Sequence, residues 1–111
     1  MLLAALGFFF IAVILGLYLL SLVISHQKIP KFAPIIHGLS ALIGIIILSL
    51  YCFYYNPAPL TSLIFFLFAA SGGLLMMYKR KTRKRIPAWL ALGHGFIAFI
   101  GIAILLVLIL V

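Results

Sequence analysis

Hydrophobic residues fill this chain in four long runs, and polar residues are confined to the three gaps between them. The runs are Leu2–Ile24, Ile35–Tyr55, Leu60–Tyr78 and Ala88–Val111. Each is close to the roughly 20 apolar residues that a helix needs to cross a bilayer's hydrocarbon core. Lipid offers no partner for backbone N–H and C=O groups, so such a run is expected to satisfy its own by folding as a helix. The gaps have physical causes. His26-Gln27-Lys28-Ile29-Pro30-Lys31 is charged and contains a proline; Asn56-Pro57-Ala58-Pro59 is a turn whose prolines cannot continue a helix. Lys79–Arg85 holds six cations in seven residues and precedes Pro87, which suits a helix start. Short connections make successive helices antiparallel neighbours. The pattern therefore predicts an all-α integral membrane protein, a four-transmembrane-helix up-down bundle.

Composition narrows the chemistry. Of 111 residues, 68% are hydrophobic and 7% charged, against about 25% charged in a soluble domain. There is no Asp or Glu, and the eight Lys and Arg residues give a formal charge of +8. Paired-acid hydrolysis, Asp-based triads, carboxylate-ligated Mg²⁺ or Ca²⁺ and proton relays through intramembrane acids are excluded. Export by a four-helix multidrug pump that rests on a membrane Glu is disfavoured for the same reason. Cys52 is the only cysteine, so an intrachain disulfide, C-x-x-C redox chemistry and c-type haem attachment fall away. The first run lacks a basic n-region and is too long for a signal-peptide core, so it is expected to remain as a span.

Every Lys and Arg lies in the first or third connection. Two spans separate these connections, so they share one side. The positive-inside rule assigns that side to the cytoplasm of an inner membrane, with both termini and the Asn56–Pro59 turn facing outward. The basic loops are read chiefly as topology signals, with a secondary role toward anionic lipid head groups or an acidic group of a cofactor. The Lys79–Arg85 run sits in a connection too short to form a nucleic-acid-binding domain.

The chain also repeats itself at an offset of 57 residues. Ile29-Pro30 matches Ile86-Pro87, and His37-Gly38 matches His94-Gly95. Ala41, Ile43, Gly44, Ile45, Ile47 and Leu48 match Ala98, Ile100, Gly101, Ile102, Ile104 and Leu105, so 10 of 20 positions from Ile29 to Leu48 are identical. Upstream, Phe8-Phe9 aligns with Phe65-Phe66, Ala12 with Ala69, and Gly16-Leu17 with Gly73-Leu74. The organisation expected is one domain of two hairpin units, 1–57 and 58–111, parallel repeats about an axis along the membrane normal. Equivalent residues of the second and fourth helices then sit at equal depth.

His37 and His94 are such a pair, about two turns inside their Ile-Pro motifs. An ionisable group in hydrocarbon is a functional candidate by default, and the duplication names each histidine as the other's partner. His37, Ala41, Gly44 and Leu48 share one helix face, as do His94, Ala98, Gly101 and Leu105. Gly38 and Gly95 follow the histidines directly. Small residues here leave room for a flat group, or for close helix packing.

Three readings follow. In the first, His37 and His94 are the two axial ligands of one b-type haem. Its propionates would meet Lys28, Lys31, Arg83 or Arg85, with His26 as a neutral donor. In the second, the histidines are packing elements, satisfied on each other, on Ser40 or on backbone carbonyls. In the third, they bind Cu, Zn or a quinone; two histidines alone make a poor zinc site. One histidine on each of helices two and four resembles, in design, the four-helix membrane cytochromes b. Those proteins usually hold two haems on four histidines, whereas this chain has two within spans. The resemblance implies a single haem near the cytoplasmic face and electron transfer or haem handling. The alternative role is a non-catalytic accessory or assembly subunit of a larger membrane complex, or a homo-oligomer. Transport through a histidine proton site is a weaker third.

The remaining features are read as packing. Phe32 and Trp89 at one end, with Tyr51, Tyr54 and Tyr55 at the other, fit the aromatic belts of a spanning protein. Met76 and Met77 point in different directions on one helix and so do not form a copper site.

Overall fold

The computed structural model describes residues 1–111 as four helices and no strand: α1 (Leu2–Ile24), α2 (Phe32–Tyr54), α3 (Leu60–Lys81) and α4 (Ala88–Leu110). A 23-residue helix is about 34 Å long at 1.5 Å per residue, and the molecule measures 42 × 19 × 18 Å. All four are long and apolar enough to span a membrane. Only 19 of 111 residues are buried, and the outer surface is covered by Leu, Ile and Phe. That arrangement would aggregate in water and is the expected one where acyl chains are the solvent.

Two helix boundaries differ from the apolar runs. α2 begins three residues early, at Phe32, because Pro34 falls in its first turn, where a missing N–H goes unnoticed. α3 continues through Lys79, Arg80 and Lys81, since cations at a helix C-terminus face the negative end of its dipole. Both basic-end terminations use one device. His26 (φ 55°) and Arg83 (φ 59°) adopt the left-handed conformation. Gln27 N–H then donates to Leu22 O at 3.0 Å, and Lys84 N–H to Lys79 O at 2.8 Å. These are the six-to-one bonds of a Schellman cap, and each residue of the second lies 57 positions after its counterpart.

α1 packs mainly on α2, and α3 mainly on α4; α1 also meets α4, and α2 meets α3. The pairs α1/α3 and α2/α4 therefore occupy the two diagonals. The half remote from the basic loops holds the core: Ala5, Leu6, Phe9, Leu48, Leu63, Phe66, Ile102 and Leu105. Across the α1/α3 diagonal, Phe9 and Phe66 stack with centroids 3.8 Å apart and planes 10° apart. Gly44 and Gly101 give those rings their room. A Cβ at Gly44 would lie 2.8 Å from the Phe9 ring, and one at Gly101 3.0 Å from the Phe66 ring. The inward stripe headed by each histidine thus holds, with Gly44, Leu48, Gly101 and Leu105 all buried.

Candidate histidine site

The histidines occupy the other diagonal, one or two turns into α2 and α4 from the basic end. His37 Nδ1 lies 2.8 Å from Ala12 O of α1, and His94 Nδ1 lies 2.6 Å from Ala69 O of α3. These acceptors are helical carbonyls already engaged in their own ladders. A second donor reaches them because of the residue four positions on. A side chain on a helix covers the turn N-terminal to its own Cα, so residue i+4 shields carbonyl i. Here those residues are Gly16 and Gly73. A Cβ at Gly16 would sit 3.1 Å from His37 Cε1; one at Gly73 would sit 3.3 Å from His94 Cε1, and Gly72 also borders His94.

A carbonyl only accepts, so each Nδ1 carries the proton and donates it. That leaves the lone pair on Nε2, the tautomer a metal ion uses when the other ring nitrogen is held by a carbonyl. Neither Nε2 has a hydrogen-bond partner. Ser62 Oγ is the one fully enclosed side-chain polar atom in that condition, so the two Nε2 atoms are not sealed off. The rings face each other across the bundle, centroids 6.0 Å apart and planes at 69°. The two imidazoles, with Nε2 free, are donors that a haem iron accepts. They do not fit a closed zinc site, because no group of three or more His, Cys, Asp or Glu side chains comes together.

Other expected site residues distribute unevenly. Gly38 and Gly95 do not flank the rings: both are exposed on the outside of the bundle, and a Cβ on either would meet nothing within 4 Å. Successive residues on a helix are about 100° apart, so the neighbour of an inward histidine turns away. Ala41 and Ala98 are half-buried, while Gly44 and Gly101 serve the phenylalanine stack instead. Ser40 bonds Phe8 O at 2.7 Å rather than a histidine. Lys28, Arg83 and Arg85, joined by Arg80 and Lys84, line an open cleft of about 720 Å³ at the basic end. Lys31 is exposed and lies outside that cleft.

The residues that do touch the imidazoles, Ala12, Gly16, Ala69 and Gly73, come from α1 and α3. They were visible as matched pairs in the duplication, but a backbone acceptor carries no residue-type signature. No protein-family model matches this chain, and no curated protein or solved structure matches it either.

Proposed function

We propose that this is a small membrane cytochrome b-like protein that holds one haem b between His37 and His94, for electron transfer or haem handling. One observation carries the reading: two inward imidazoles, each with Nδ1 fixed on a carbonyl and Nε2 free, stand 6.0 Å apart across the bundle. A bound haem would supply a one-electron redox centre. The chain's contribution is to fix both ring tautomers and keep the surroundings apolar. The cations at the same end offer the counter-charge for two propionates. By the distribution of Lys and Arg, the basic loops face the cytoplasm of an inner membrane and both termini face outward.

A specific observation favours a second reading. Both histidine bonds stay within their own hairpin, α1 to α2 and α3 to α4, as a packing clasp would. In that case the protein is a non-catalytic accessory or assembly subunit of a larger membrane complex, or a homo-oligomer. An absorption spectrum of the purified full chain separates the two. Haem binding gives a reducible low-spin spectrum, lost in His37→Ala and in His94→Ala. A preparation that stays colourless after haem is added sinks the haem reading and leaves the clasp.

A further inference from the structure

The cleft at the basic end lies between the two charged connections and is built from both repeats. Val23, His26, Gln27, Lys28 and Ile29 line it from the first, and Arg80, Arg83, Lys84, Arg85 and Ile86 line it from the second. Each residue of the second group is 57 positions beyond its counterpart, so the cleft straddles the axis that relates the hairpins. The two copies differ in charge. Where the first has Val23, His26 and Gln27, the second has Arg80, Arg83 and Lys84; only Lys28 and Arg85 are cationic in both. Five cations therefore converge on one concavity.

Nothing in the chain can neutralise them, because it contains no Asp or Glu. The Arg85 guanidinium donates to the imidazole of His26, with Nη2 2.6 Å from Nδ1. Arg80 Nη2 reaches the Ile29 carbonyl at 3.4 Å. These are the partners guanidinium groups take when no anion is at hand. Even two haem propionates would leave three of the five charges unmatched. The counter-charge has to come from outside the chain.

The place of the cleft selects its chemistry. Leu22, Val23, Ile29 and Ile86 give it an apolar floor, and it sits where four membrane-length helices end. A soluble polyanion would leave that floor without a partner. We infer that the cleft binds the phosphate-bearing head group of an anionic phospholipid from the leaflet at this end, with the glycerol carbons over the apolar floor. Basic concavities between spans at the cytoplasmic face take such head groups. Five cations suit a lipid with two phosphates better than one with a single charge. This inference holds whether or not the histidines carry haem.

The test is native mass spectrometry of the full chain released from detergent containing phosphatidylcholine and cardiolipin in equal amounts. Retention of cardiolipin, but not phosphatidylcholine, is expected on the unmodified chain. Lys84→Gln/Arg85→Gln should weaken retention about thirty-fold. Lys79→Gln/Lys81→Gln removes the same charge from residues outside the cleft and should leave retention unchanged. Lys84→Arg/Arg85→Lys should restore it, and helical circular dichroism confirms that each variant is folded. Equal loss in both Gln pairs would mean a generic basic surface and overturn the site. Displacement of the lipid by millimolar pyrophosphate would overturn the lipid assignment in favour of a soluble phosphate compound.

Discussion

The two hairpins agree in the contacts made inside each unit and differ in side-chain chemistry at a few buried positions and at the basic connections. The agreements are geometric: a histidine on a carbonyl at 2.8 and 2.6 Å, a glycine uncovering that carbonyl, a phenylalanine over a second glycine, a left-handed cap at His26 and Arg83. The differences are chemical. Ser40 has Ile97 as its counterpart, Ala5 has Ser62, and the mixed loop of the first hairpin becomes the cationic loop of the second. The shared geometry survives such changes: Ser62 fills the place of Ala5, and Arg83 takes the left-handed conformation where His26 does.

The largest test of this comparison is at the histidines. His37→Ala and His94→Ala should abolish bound haem to the same extent, since one iron needs both. An absorption titration with haem reads this directly, and retention of a bis-imidazole spectrum by one variant alone would break the equivalence. Next come the glycines under the phenyl rings. Gly44→Ala and Gly101→Ala should each destabilise by about 1–3 kcal/mol through overpacking. Gly44→Ala should be the worse, because its Cβ would lie 2.8 Å from a ring against 3.0 Å at Gly101. Unfolding in increasing dodecyl sulfate, followed by circular dichroism, orders the two.

Smaller effects lie where the hairpins diverge. Ser62 is fully enclosed and its hydroxyl has no partner, whereas Ala5 stands at the same place in the first hairpin. Ser62→Ala should therefore stabilise by about 1 kcal/mol, the desolvation penalty of an unmade bond. A loss of stability in the same assay would mean the hydroxyl has a partner in the membrane. Ser40→Ala removes the bond to Phe8 O that Ile97 does without. It should cost about 0.6 kcal/mol, the usual worth of an interhelical bond in a membrane bundle.

The spans, their order and the histidine pair were legible from the chain alone, because apolar runs and a gapless repeat are properties of residue identity. The partners of the histidines were not. Ala12 and Ala69 act through main-chain oxygens, which every residue has. Gly16 and Gly73 act by lacking a side chain, and their meaning appears only when α1 is laid against α2. Proximity in sequence also misled: Gly38 and Gly95 adjoin the histidines along the chain yet turn to the lipid side. The early start of α2 and the charged extension of α3 escaped because hydropathy does not register a proline in a first turn or a cation at a helix dipole.

The stacked phenyl rings of Phe9 and Phe66 carry one more consequence. Benzene rings offer no donor or acceptor to hand a proton along, and this pair blocks the middle of the bundle below the imidazoles to hydrated ions. At that level the bundle is a plug of side chains and not a conduit.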